Sequence, residues 1–246
     1  MSSQKLKNAP LKEVIFELHW KLTLDDAGIP HDLGFELALG KLAEKLKPEF
    51  PKHRKLPIGE LPIHFIDVPI HQYWKGDLIY PVIQHGKGMI AINEVESGYI
   101  WTESYRPLIL STINKLVASY ETELKFNKLV LKYVDAIDLG EIEAQDFVRN
   151  NLQTEIRLHY QAPGVLRDFH FQQIFELMDS SLLRLNIATG INNQTDSKAL
   201  IWTTIVEKNQ DFSLDEIEKW IDYAHDESSA IFKTMLNPDY YASLDR

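Results

Sequence analysis

The hydrophobic period of this chain switches between two and 3.6 several times, and the switches come twice in one order. Phe16, Leu18, Trp20, Leu22 and Leu24 fall on one side of an extended segment, with Glu17, His19 and Lys21 on the other. After a turn-forming stretch at 25–30, apolar residues at Leu33, Leu37, Leu39, Leu42, Ala43 and Leu46 take helical spacing that ends before Pro48. Residues 61–74 read as a long strand, 80–85 and 89–93 as a hairpin closed by Gly86-Lys87-Gly88, and 99–102 as a short strand. Leu108, Ile109, Thr112, Ile113, Leu116, Val117 and Tyr120 then form a helical stripe, with Pro107 tolerated in its first turn.

From Lys128 the order recurs: a strand at 129–139, a short helix at 144–152, strands at 155–161, 167–175, 183–188 and 199–206, and a long helix at 214–235. Ser213 and Glu216 stand in capping-box relation before that last helix, and Leu214, Ile217, Ile221, Ala224, Ser228, Ile231 and Met235 share one face. Ile-Trp-Thr occurs before each closing helix, at 100–102 and 201–203. Either the halves descend from a duplication, or a tripeptide and a common element order recur by accident. The expected fold class is α+β, antiparallel sheets with flanking helices, in two pseudo-repeated lobes at 1–124 and 125–246. A ligand would sit most naturally between such lobes.

Composition narrows the chemistry. The 246 residues carry 36 acidic and 26 basic side chains, a formal charge of −10, with 44% hydrophobic residues, so the chain has globular rather than disordered composition. A negative balance argues against a chain whose main work is covering phosphate backbones. The absence of cysteine excludes disulfides, thiolate metal sites and Cys nucleophiles, and fits a reducing, cytoplasmic setting. No apolar run reaches the length of a signal-peptide core or a bilayer span, so a soluble protein with no membrane partner is expected.

Four strings, APLKEVIFE at 9–17, YPVIQHG at 80–86, YIW at 99–101 and LVLKYV at 129–134, fall in the order found in one known group. Through them the chain resembles a sporadically distributed prokaryotic family of uncharacterised proteins of similar length that open with an APLxEV-type string. The resemblance covers most of the chain. The family pattern has arginines where this chain has Lys132 and Ala136, which weakens any role for a guanidinium there. The resemblance supplies no catalytic residues; the patchy distribution implies accessory roles, such as antiviral defence or toxin-linked systems.

Catalytic signatures are scarce. Gly86-Lys87-Gly88 precedes a strand rather than a helix N-terminus, so it reads as a hairpin turn and not a phosphate loop. The nine histidines show no HxxxH or HExxH pair, and no GxSxG elbow is present, so no metal and no cofactor are expected. The most suggestive polar set is Glu155, Arg157 and His159 on one face of a strand beside Asp168, His170 and Gln172 on the next. Arg157, His159, Asp168 and His170 could form a metal-independent nuclease or hydrolase patch, or simply a wet sheet face. Lys45, Lys52, Arg54 and Lys55 crowd the end of the first helix and could contact nucleic acid, though a solvated helix end is favoured. Tyr80, Tyr99, Trp101 and Tyr105 could line a partner or ligand surface, or belong to the core. The reading on balance is a non-catalytic binding or sensor module with a protein partner, a homodimer mate or a small ligand; the hydrolase is the alternative.

Overall fold

A computed structural model describes residues 6–57, 67–154, 168–192 and 195–245. The fold is mixed α+β and mostly sheet. Its strands are β1 (Leu11–Trp20), β2 (Thr23–Leu24), β3 (Pro30–His31), β4 (Lys52–Lys55), β5 (His71–Gly76), β6 (Ile79–Gly86), β7 (Met89–Val95), β8 (Phe126–Asp138), β9 (His170–Glu176), β10 (Leu182–Asn192) and β11 (Ser197–Phe212). Its helices are α1 (Phe35–Leu46), α2 (Arg106–Val117), α3 (Ala144–Asn151), α4 (Leu214–Met235) and α5 (Pro238–Ser243).

Nine strands form one antiparallel sheet in the order β4-β5-β6-β7-β1-β8-β11-β10-β9, and β2 and β3 pair separately. Outward from β1 come β7, β6, β5 and β4; outward from β8 come β11, β10 and β9. Each half of the chain therefore sets its first strand beside its last one. No helix among the described residues is long and apolar enough to cross a membrane.

The chain forms two compact units. One takes Glu13–Leu131 and Glu207–Asp222; the other takes the described residues of Met1–Lys12, Lys132–Val206 and Tyr223–Arg246. In the first unit, alternation along β1 buries Val14, Phe16, Leu18 and Trp20, and register sets Phe16 opposite Ile92 and Leu18 opposite Ile90. The β6–β7 hairpin turns on Lys87 and Gly88, the latter at φ +77°, where a side chain would be strained. Helix α1 buries Phe35, Ala38, Leu42 and Leu46 and packs with α2, which buries Ile109, Thr112, Ile113 and Leu116. In the second unit Leu183, Leu185 and Ile187 of β10 and Leu200, Trp202, Thr204 and Val206 of β11 alternate inward. At the start of α4, Glu216 accepts from the Ser213 amide at 2.8 Å, so the capping box expected from sequence forms.

Four readings of local structure need correction. Residues 99–102 are not a strand: Ile100 is extended, but Trp101–Tyr105 is a π-helical turn running into α2, because Trp101 and Tyr105 bury on one side and Pro107 seeds the helix behind them. The two Ile-Trp-Thr strings thus differ in conformation, since 201–203 lies within β11. Residues 67–70 do not extend the strand read at 61–74: Asp67 has φ +54°, and the strand begins at His71; 58–66 lie outside the described residues. Lys52–Lys55, read as part of a solvated helix end and the loop after it, is a strand with all four residues exposed, paired to β5. The inward stripe of β1 ends at Trp20, leaving Leu24 65% exposed.

Candidate binding site

Two polar constellations meet near the end of β1, both in the first unit. On one face the period-two rule brings Glu17 and His19 together. The His19 Nε2 lies 3.1 Å from Glu17 Oε2, and its Nδ1 lies 3.2 Å from Asp67 Oδ1. Burial of His19 opposes charge on the ring, but hydrogen bonds to Asp67 and Glu17 outweigh it and raise its pKa above the ordinary histidine value. Both ring nitrogens of His19 thus face carboxylate oxygens, an arrangement that favours the imidazolium.

This group lines an open cleft of about 620 Å³ together with Trp20, Lys21, Leu22, Leu24, Pro30, Asp67, Asn127, Lys128, Asn209, Gln210 and Asp211. Lys21 is paired to Asp211 at 2.6 Å. Asn127 has a buried Oδ1 without a hydrogen-bond partner among the described residues. Burying a carbonyl oxygen in that state costs about 1 to 3 kcal/mol, so a donor brought to it would be stabilising.

On the opposite face Trp20 is fixed by Asp32, whose Oδ2 accepts from the Trp20 indole at 3.1 Å, the Tyr120 hydroxyl at 2.9 Å and the Gly88 amide at 3.2 Å. Beside Trp20 lies a row of histidines. Register places Lys55 opposite His71 and His71 opposite His85, and the His53 Nε2 approaches the His71 Nδ1 at 2.9 Å. His85 is wholly buried, and neither ring nitrogen has a hydrogen-bond partner among the described residues. Burial, reinforced by His71, pushes the His85 pKa down to about 3; burial, with His53 and Lys55, pushes that of His71 to about 4. The adjoining Tyr73 hydroxyl is also buried without a partner, and burial raises its pKa.

The residues singled out from sequence are scattered. Arg157 and His159, with Glu155, lie outside the described residues. Asp168 lines a separate cavity of about 450 Å³ in the other unit, with Glu143, Asp146, Thr189 and Lys198, and His170 opens β9, exposed and opposite Ala188. Trp101 and Tyr105 are core: the Tyr105 hydroxyl donates to the Ile92 carbonyl at 2.7 Å. Tyr80 and Tyr99 are half-buried, stacked edge-on against Trp74 and Tyr105 respectively. Lys45 lies in the last turn of α1, while Lys52, Arg54 and Lys55 stand exposed along β4, with Lys52 bridged to Asp77 at 3.3 Å.

Sequence reading missed both constellations at β1. Alternation did place Glu17 and His19 on one face, but Asp67 lies 48 residues away and nothing local marks it. Among the described residues no group of three or more His, Cys, Asp or Glu side chains could hold a metal ion. The chain matches no protein-family model, and no curated protein matches it significantly.

Proposed function

We propose that the chain is a non-catalytic, cytoplasmic binding or sensor module whose cleft at the end of β1 takes a small, neutral ligand rich in hydroxyl or amide donors, of nucleoside or sugar size. Among the described residues the charges around the cleft cancel once His19 carries a proton. His19, Lys21 and Lys128 are answered by Asp67, Asp211 and Glu17, so neither a phosphate nor a cation finds a matched field. The carboxamides of Asn127, Asn209 and Gln210 and the carboxylates supply the directional bonds that fix a polar ligand.

A binding role is favoured over a hydrolytic one by the same side chains. Both His19 nitrogens are engaged by carboxylates, which leaves no lone pair to take a proton from a nucleophile. Among the described residues that line the cleft there is no serine, threonine or cysteine.

The observation that carries the reading is Asn127, which lines the cleft and whose buried Oδ1 has no hydrogen-bond partner among the described residues. The test is a thermal-shift panel of nucleosides and neutral mono- and disaccharides on wild type and on Asn127→Leu, with circular dichroism to show that the variant folds. At least one compound should raise the wild-type Tm, as any ligand of the native state must, and lose that effect in the variant. A panel without any shift, or a shift that persists in Asn127→Leu, overturns it.

A further inference from the structure

We infer that His71 and His85 form an acid-labile seat for the start of α1, and that protonating them releases Phe35 and the Asp32 tether, opening the Trp20 wall of the cleft. The consequence for a ligand rests on the reading of the cleft above; the opening itself does not.

The geometry begins with Phe35, the first residue of α1. Its ring lies 4.9 Å from that of His85 and 6.2 Å from that of His71, centroid to centroid. The Trp20 indole lies 6.2 Å from His85 on another side. Across the sheet from His85 stand His71 on β5 and Ile90 on β7. His85 is therefore enclosed by aromatic and aliphatic groups and by a second imidazole.

Among the described residues a proton on His85 would find no counter-ion. From β1 it meets Trp20, from α1 Phe35, from β7 Ile90 and from β5 His71; behind His71 lie His53 and Lys55, both on β4. The nearby carboxylate, Asp32, is already engaged by three donors. His19 shows the contrast: two carboxylates stand within reach of its ring nitrogens and favour a proton there. Charge on the His71–His85 row must therefore be met by water, and water can enter only if something moves.

Phe35 is the piece covering the row, and it is coupled to the cleft. The Phe35 amide donates to the Asp32 carbonyl at 3.2 Å, and the Asp32 carboxylate holds Trp20, Tyr120 and Gly88. Lifting Phe35 pulls on Asp32, and losing the Asp32 bonds frees the indole that forms part of the cleft wall. Pro30, two residues before Asp32, lines the same cleft.

Linkage sets the size of the effect. If each histidine titrates normally once exposed, the open population rises with two protons, by roughly a hundredfold or more between about pH 7 and about pH 5. The experiment is amide hydrogen exchange on the full chain without ligand, with protection factors corrected for intrinsic rates at the two pH values. The amides of 32–46 should lose roughly a hundredfold in protection on acidification in wild type and only about tenfold in His85→Leu, where His71 alone is left to titrate. His71→Gln, which retains a polar ring-sized neighbour, should halve the logarithm of that loss and serves if His85→Leu does not fold. Unchanged wild-type protection at 32–46, or an equal loss in the folded variants, overturns the inference. Because no ligand is present, a silent compound panel leaves this result standing, and the two failures can be told apart.

Discussion

The two units both bury titratable groups, yet they hold them in protonation states of opposite consequence. In the first unit burial keeps His71 and His85 neutral below the ordinary histidine range. In the second, Asp135 on β8 is 4% exposed, and burial raises its pKa to about 7, against the opposing pull of Lys12 and the Trp202 indole. Desolvation is the first cause in both cases; it disfavours whichever form is charged, so it pushes a base down and an acid up. One cause gives two signs because the residue types differ. A carboxyl that stays protonated in the fold is favoured by acid, whereas an imidazole that stays neutral is penalised by it.

The largest expected effect tests that opposition directly. For Asp135 the folded pKa lies above the unfolded one near 3.8, so its contribution is greatest below that value and is lost as pH climbs to about 7. Across that window the stability of wild type relative to Asp135→Asn should fall by about 4 kcal/mol, at about 1.4 kcal/mol per pH unit. For His85 the folded value lies below the unfolded 6.5, so its contribution is whole above 6.5 and is lost as pH falls. Wild-type stability relative to His85→Leu should therefore slope the other way over the same range. Urea unfolding of the three proteins at stepped pH gives both slopes, and two slopes of one sign would break the comparison.

The next effect asks whether the first unit is as tightly closed around its histidines as their burial implies. Gly86 ends β6, beside His85, and a Cβ there would stand 1.9 Å from the Val68 carbonyl oxygen. That oxygen belongs to a segment pinned to the strand by two bonds, Asp67 amide to Lys87 carbonyl at 3.1 Å and Ile70 amide to His85 carbonyl at 2.9 Å. Backbone meets backbone, with no rotamer to relieve it. Gly86→Ala should cost about 3 kcal/mol, at the top of the range for overpacking, read as a lower urea midpoint at unchanged m-value. A loss below about 1 kcal/mol would mean that the segment yields and the seat is looser than it looks.

What could be read from the sequence follows the same divide between local and distant causes. Helix α4 was legible to its ends because cap, stripe and length all lie within one stretch, Ser213 through Met235. The β6–β7 hairpin was legible because Gly88 must take positive φ. The strand at Lys52–Lys55 was not, since four exposed side chains show no alternation and only pairing to β5 makes it a strand. Ile100-Trp101-Thr102 has strand propensity, and the burial of Trp101 and Tyr105 overrode it. Leu22 and Leu24 continued the β1 pattern on paper, but Asp32 captures Trp20 and the chain turns away. The cleft depends on Asp67, Asn127 and Asp211 meeting His19 and Lys21 across gaps no local rule spans.

The smallest expected effect comes from the second unit and completes the contrast with Gly86. Gly190 lies in β10, where a Cβ would meet the Ile201 Cδ1 at 2.7 Å and its Cγ1 at 3.6 Å. The near atom is the free end of a side chain, and a χ2 rotation moves it away at a cost of about 1 kcal/mol or less. Against this, alanine restricts the unfolded chain and removes the penalty of glycine within a strand, about 0.5 to 1 kcal/mol in the opposite direction. The two terms nearly cancel, so Gly190→Ala should leave the urea midpoint within about 0.5 kcal/mol of wild type. A loss above about 1.5 kcal/mol would show that Ile201 cannot turn. The second unit would then be as tightly locked around Gly190 as the first is around Gly86, and the difference between the units would reduce to the chemistry of their buried groups alone.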